Sequence, residues 1–559
     1  FKQKTAYEIR LSLVGSEMCI RDRVTHKVDS AMHRLISLIL LTTIISACEN
    51  APRVEIDNQT LIGKYSQNKK IASFLGIPFA EAPVGKLRWA APIPYKSKNS
   101  KRMATDFSPA CMQHMGILEW YRDLAEIFGN DRNVVADLPI DEDCLYLNIW
   151  TPVLDEDANL PVMVYIHGGS NDSGWSFEPN YHGYALAEKD VVVVSIAYRL
   201  GVFGFLSHPD IDEKKIKANF GLWDQVTALE WIKKNIKNFG GNPENITAFG
   251  ESAGAQDILA LMFAKPANGL FNKAILQSNA GFGLPEETPG NGHVRSSMQN
   301  EQDRGSKLGK IIGSENKPLS LEELRALPAQ KILDVYQKTF PNYYHSPAVD
   351  GYLIEKPTWL DIQNSNLSSM KVIVGTNADE YYANTPENTD DEMLESISKQ
   401  LFDSSSHIAM NALQNEEDPR NALDRLYTAE GMLCPSEYLA SKITKDNGNS
   451  WVYYFSRIRE GESAQHPMIR AYHGAELPYV FNTHDEWMTT SDLDLEITEI
   501  ITDYWTNFAK TGNPNGHNAP NWPIFDENQK FVQKFGNDIE TIKSTETVLC
   551  SIFSDQVSQ

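Results

Sequence analysis

Gly250-Glu251-Ser252-Ala253-Gly254 is the stretch that decides the fold. A Gly-x-Ser-x-Gly pentapeptide is weak evidence alone, because chance supplies many. Its flanks give it weight. Asn245-Ile246-Thr247-Ala248-Phe249 before it has the apolar pattern of a short strand, and Ala253 to Phe263 after it reads as a helix of small and apolar residues. The two glycines let the backbone turn sharply between them. The Ser252 hydroxyl is therefore predicted to stand exposed on a strand-to-helix elbow at the top of a sheet.

Further apolar runs of strand length alternate with helical patterns. They are Val162–Ile166, Val191–Ile196, Ile246–Phe249, Ala274–Gln277, Lys371–Val374 and Val452–Phe455. These runs are near-continuous rather than strictly alternating, as expected of strands covered on both faces of a mostly parallel sheet. Leu222, Val226, Leu229, Ile232 and Ile236 recur at three- and four-residue steps and predict a crossover helix. Asn219 is placed to cap that helix and Gly240-Gly241 to end it. Residues 281–345 and 384–440 are polar and irregular with helical patches, and are predicted to be insertions forming a lid or gorge wall.

A serine hydroxyl is a poor nucleophile at neutral pH. It needs a base within hydrogen-bond reach, and the base needs an acid to fix its tautomer. Glu380 ends Val374-Gly-Thr-Asn-Ala-Asp-Glu380, directly after an apolar strand run, which puts a carboxylate at the carboxyl end of a strand. Asp379 is its neighbour, and chemistry alone does not separate the two. His473 lies in the loop Ala471-Tyr-His-Gly-Ala-Glu-Leu-Pro478, with His466 and His484 as nearby alternatives. A histidine base implies activity that falls as pH drops through about 6–7. His167-Gly168-Gly169-Ser170 follows the Val162–Ile166 strand. Its N–H groups, with that of Ala253, are candidates for an oxyanion hole, each donor contributing about 3 kcal/mol in the transition state.

The amino-terminal region reads as export. Met32-His-Arg opens a basic segment, Leu35–Ile45 is almost unbroken apolar sequence, and Ile45-Ser-Ala-Cys48 closes it. This is the layout of a secretory signal over residues 32–47, too short to span a membrane. The closing tetrapeptide resembles the lipobox of bacterial lipoproteins, which implies a lipidated Cys48. Glu49 rather than Asp follows, so the resemblance implies an outer-membrane anchor, facing the periplasm or the cell surface; the alternative is a plain signal peptide with an accidental cysteine and a secreted chain. Residues 1–31 resemble read-through of sequencing adapters and are set apart from the fold. Residues 48–559 are then expected to form a single domain, since no linker, repeat or heptad run divides them.

The chain carries a formal charge of −23, and residues 1–47 hold seven basic and four acidic side chains, so the remainder is three units more negative. Such a surface argues against nucleic acid as a partner. Apart from Cys19 and Cys48, four cysteines remain, an even number that suggests two disulfides in an exported chain. Spacing favours the local pair Cys111–Cys144, leaving Cys434–Cys550. None has the close spacing of a zinc site.

Together these segments resemble the type B carboxylesterases, the group of α/β-hydrolases that includes the cholinesterases. Glu142-Asp-Cys-Leu-Tyr-Leu-Asn-Ile-Trp-Thr-Pro152 is similar to one signature of that family, and Phe239-Gly-Gly followed by Gly250-Glu-Ser-Ala-Gly254 to the other. Tyr198–Phe205, Tyr504–Pro514 and Trp522–Phe525 match further segments, and the likeness runs from about residue 53 to 555. The resemblance implies an α/β-hydrolase fold with helices on both faces of the sheet and a gorge built by insertions. It implies a serine hydrolase of small-molecule carboxylic esters that acts through an acyl-enzyme and needs no cofactor or metal. Ser252 is implied as nucleophile, Glu380 rather than Asp379 as acid and His473 as base, with Gly169, Ser170 and Ala253 as oxyanion donors. Both disulfides are implied too.

Three departures stand out. Ser170 replaces a usual third glycine and costs roughly 1–2 kcal/mol if its backbone is left-handed. Ala248 replaces a larger aliphatic residue. Cholinesterases carry a choline-binding Trp ten residues before the second cysteine of the first loop, where this chain has Val134, leaving Trp120 or Tyr121 as substitutes. The alternatives are a cholinesterase-like adhesion domain without activity, or a lipase or lactonase on the same fold. Oligomeric state is not legible in the sequence.

Overall fold

Val162-Met163-Val164-Tyr165-Ile166 contains no charged side chain, and all five residues are fully buried. Side chains along a strand point alternately to its two faces. Val162, Val164 and Ile166 join one apolar cluster with Leu222, Val226 and Ile258. Met163 and Tyr165 join another with Ile497, Ile501, Trp505 and Phe508. Both faces of the strand are therefore covered by helices, which explains why its sequence does not alternate.

The computed structural model describes residues 51–211, 216–279, 297–341, 343–461, 466–485, 487–517 and 519–558. The expected adapter segment, the signal over residues 32–47 and Cys48 lie outside them, as do residues 281–296 of the first expected insertion.

The sheet's strands are β1 (Lys64–Tyr65), β2 (Ala72–Pro78), β3 (Tyr146–Thr151), β4 (Leu160–Ile166), β5 (Val192–Ile196), β6 (Gly241–Glu251), β7 (Lys273–Gln277), β8 (Lys371–Asn377), β9 (Asn449–Phe455), β10 (Phe531–Phe535) and β11 (Ile539–Lys543). Their order across the sheet is β11-β10-β9-β8-β7-β6-β4-β5-β3-β2-β1. Every neighbouring pair from β5 across to β10 is parallel, and the strands at both margins pair antiparallel. After β5 the chain returns past β4 to lay down β6. The carboxyl ends of β4 and β6 therefore flank a topological switch point, where open α/β sheets bind ligands.

The six helices that matter below are α1 (Gly116–Ile127), α2 (Phe220–Asn235), α3 (Ala253–Phe263), α4 (Cys434–Lys445), α5 (Asp492–Thr511) and α6 (Thr547–Ser558). Helix α2 is the predicted crossover, and Leu222, Val226, Leu229 and Ile232 are all buried along it. Gly240, at φ +82°, closes the 3₁₀ turn that follows it, as expected. Asn219 differs from expectation. It precedes the helix with φ +56° but makes no side-chain cap bond. Its amide instead donates to Ala348 O (2.8 Å) and Asp350 Oδ2 (2.9 Å) and accepts from Ala348 N (2.7 Å). The side chain is consumed by a distant loop.

The helical patches read in 384–440 extend over most of that region, which is more regular and more buried than expected, with Leu394, Leu401, Leu423, Leu426 and Leu433 in the main core. Short amphipathic helices hide their apolar stripe among polar residues, so the sequence looks more open than the packing is. Disulfides join Cys111 to Cys144 and Cys434 to Cys550. Among the described residues no helix is long and apolar enough to cross a membrane.

Candidate active site

The elbow at Ser252 is a backbone problem first. Ser252 has φ +55° and ψ −123°, a combination rare for a residue with a side chain. Its N–H donates to Gln277 O at 2.9 Å, and its C=O accepts from Gln256 N at 3.0 Å, so β7 and the first turn of α3 hold it in place. The flanking glycines are required by close approach. A Cβ on Gly250 would lie 2.6 Å from Ile166 O, and one on Gly254 would lie 2.1 Å from the same atom. The carboxyl end of β4 is thus pressed directly against the elbow.

Gly168-Gly169-Ser170 leaves that end of β4. Gly169 has φ +97° and Ser170 φ +58°, so the left-handed strain anticipated for Ser170 is present. Among the described residues, the N–H groups of Gly169, Ser170 and Ala253 meet no acceptor. They are free to receive an oxygen that becomes negative.

Glu380 follows β8. Its Oε1 accepts from Ser278 Oγ (2.6 Å), Thr376 Oγ1 (2.6 Å) and Asn377 N (2.7 Å), while Oε2 faces His473 Nδ1 at 2.6 Å. Burial works to raise its pKa, but the imidazole and the hydroxyl donors outweigh it, and the carboxyl is held below its ordinary value. Asp379 is engaged elsewhere, with Arg470 at 2.6 Å and Ala471 N at 3.1 Å. His466 accepts from Met468 N, and His484 lies between Arg459 and Thr498. Of the acid and histidine pairs the sequence left open, only Glu380 and His473 meet.

Ser252, Glu380, His473, Gly169 and Ser170 line one cavity of about 270 Å³. Ile117, Trp120, Tyr121, Tyr181, Tyr472 and Leu477 supply most of its apolar wall. Trp120 and Tyr121 come from α1, whereas Val134 is 38% exposed and is not part of the wall. Helix α1 lies within the first disulfide loop, and counting ten residues back from Cys144 stops at Val134, short of that helix.

The electrostatics add a residue the sequence reading passed over. His473 Nε2 lies 3.1 Å from Glu251 Oε1, and Ser252 Oγ makes no hydrogen bond to the imidazole among the described residues. Such bonds often tighten only once substrate is bound. Burial acts to lower the His473 pKa, yet the Glu251 and Glu380 carboxylates override it and push it up to about 10. Glu251 itself is pushed up to about 8, mainly by burial, against the pull of His473. Glu476 is also raised by burial and is held by Gln277 (2.9 Å) and Asn377 (2.7 Å). Glu251 stands in the quoted pentapeptide itself. Ser278, immediately after β7, had a strand-end position as its only signal. Among the described residues no group of three His, Cys, Asp or Glu could hold a metal ion.

Comparison with known proteins agrees with this architecture. The profile of the carboxylesterase family matches residues 50–552. Carboxylesterase 1C of Mus musculus is 29% identical over 510 residues, covering 86% of this chain and 89% of its own. Cocaine esterase of Oryctolagus cuniculus is 31% identical over 489 residues, covering 83% and 87%. The solved structure of a PNB esterase superposes with a TM-score of 0.76 at 27% identity, covering 90% of this chain and 99% of the other.

Proposed function

The chain belongs to the carboxylesterase family and is a carboxylic ester hydrolase, and on that premise we propose that it works as a serine esterase through an acyl-enzyme on Ser252. The observation that carries this reading is the 2.6 Å contact between Glu380 and His473 Nδ1, made at the wall of a cavity shared with Ser252 and the Gly169–Ser170 amides. Glu380 holds the imidazole with its proton on Nδ1, which leaves Nε2 as the base. To act, Nε2 exchanges its contact with Glu251 Oε1 for one with Ser252 Oγ, which lines the same cavity. The hydroxyl proton passes to Nε2 as Oγ bonds to the ester carbonyl carbon. The carbonyl oxygen takes the negative charge against the N–H groups of Gly169, Ser170 and Ala253. The imidazolium then protonates the departing alcohol oxygen, and the C–O bond breaks to leave an ester on Ser252. Water repeats the sequence, giving its proton to His473 and releasing the acid.

The substrate is a small ester able to lie against an aromatic wall. Two disulfides support export, and the Cys48 segment supports a lipid anchor. Loss of palmitate incorporation in a Cys48→Ala chain expressed in a bacterium is the test of that anchor.

The catalytic reading is tested with a fluorophosphonate probe. Labelling at Ser252 is expected, and Ser252→Ala is expected to abolish it and to lower ester turnover by roughly six orders of magnitude with the fold intact. Near-normal turnover in that variant refutes Ser252 as the nucleophile, and a chain that neither labels nor hydrolyses ester favours an adhesion domain.

A further inference from the structure

We infer that a bridge from His114 to Asp172 clasps the oxyanion loop to helix α1, which makes His114 a positioning residue for ester hydrolysis. This rests on Ser252 acting as nucleophile, as proposed above. Asp172 lies two residues beyond Ser170. Its N–H and that of Ser173 both close on Gly169 O at 3.0 Å, curling the loop. The curl needs three successive left-handed residues, Gly169 (φ +97°), Ser170 (φ +58°) and Asn171 (φ +55°). Two of these carry a side chain, and of the two Ser170 is the more strained, since Asn tolerates the left-handed region better. Such a loop keeps its shape only where its surroundings hold it.

His114 supplies one hold. Its Nε2 lies 2.5 Å from Asp172 Oδ2. Its Nδ1 accepts from the N–H of Gly116, the first residue of α1, at 3.0 Å. The two contacts select one tautomer: an Nδ1 that accepts is unprotonated, so the Nε2 proton goes to the carboxylate. One ring thus ties the loop bearing the oxyanion donors to the helix bearing Ile117, Trp120 and Tyr121 of the cavity wall. The two elements already touch, since a Cβ on Gly169 would meet Ile117 Cδ1 at 2.7 Å. The far side of Asp172 is occupied by His345, buried, with Nδ1 at 3.5 Å from Oδ1 and Nε2 3.0 Å from the Tyr336 hydroxyl. Neither His114 nor Asp172 lines the catalytic cavity, so each acts on the reaction only through the loop.

The test compares kcat and KM for a p-nitrophenyl ester in the full chain and in His114→Ala, Asp172→Ala, the double variant and His114→Gln. Each single alanine variant is expected to lower kcat by about tenfold, with KM within about twofold, because the donors are displaced rather than the binding wall removed. The double variant is expected to be no slower than the slower single, the sign that the two residues act through one another. His114→Gln, which can still donate to Asp172, is expected to recover most of the rate. Either single variant suffices if the other does not fold. Parent-like kcat in the alanine variants, additive losses, or no recovery by Gln overturns the clasp. An enzyme that labels at Ser252 while those variants turn over normally loses the clasp alone, whereas absent labelling removes the catalytic reading beneath it.

Discussion

At the scale of single residues, the charge beside the base controls when it can act. A base must be neutral, so activity rises with pH as His473 loses its proton. Glu251 and Glu380 raise the His473 pKa, so the acid limb of kcat/KM is expected above the ordinary histidine value of about 6.5. Glu251→Gln removes one of those charges and stabilises the neutral imidazole relative to the charged one. The limb is then expected to move to lower pH, and a pH–rate profile of both proteins decides it. A limb that stays in place, or moves upward, shows that Glu251 does not govern the base. Glu251 was visible in the sequence only as a letter inside the pentapeptide. Its role depends on His473 arriving at its carboxylate from 222 residues away along the chain.

At the scale of elements, the elbow depends on how closely β4 and β6 approach the start of α3. Gly254 faces Ile166 O with no room for a methyl group. Gly254→Ala is expected to cost about 1–3 kcal/mol, as overpacking does, and to lower kcat by displacing Ala253 N. Urea unfolding and steady-state rates check the two parts separately, and a variant unchanged in both contradicts the close approach. The strand runs around this elbow were legible because burial on both faces leaves little that is polar in them. The burial of residues 384–440 in the main core was not, because each short helix shows the core only a narrow stripe. Asn219 was misassigned for a related reason. A cap is local, but its amide found three better partners at residues 348 and 350.

At the scale of the whole molecule, the two disulfides constrain very different lengths of chain. Cys111–Cys144 spans 33 residues and encloses α1, whereas Cys434–Cys550 spans 116 and ties α4 to α6. Loop-closure entropy makes removal of a disulfide cost about 2–5 kcal/mol, and the longer loop about 1 kcal/mol more than the shorter. The Cys434→Ala/Cys550→Ala protein is therefore expected to unfold at lower denaturant than Cys111→Ala/Cys144→Ala. The shorter-loop variant is expected to lose more activity, since α1 carries the cavity wall. The reverse order in both measurements contradicts this division of labour.

Local pattern alone determined the strand runs, the elbow, the crossover helix and the short lists from which acid and base had to come. Those features arise from neighbours in the chain: periodicity, glycine freedom and the strand ends that face one edge of a parallel sheet. Tertiary structure decided the rest. It paired Glu380 with His473 and sent Asp379 to Arg470. It set Glu251 against the base and put Trp120 rather than residue 134 on the cavity wall. Each of these choices is between side chains of similar chemistry, and only distance in the folded chain, which sets both electrostatic strength and hydrogen-bond geometry, separates them.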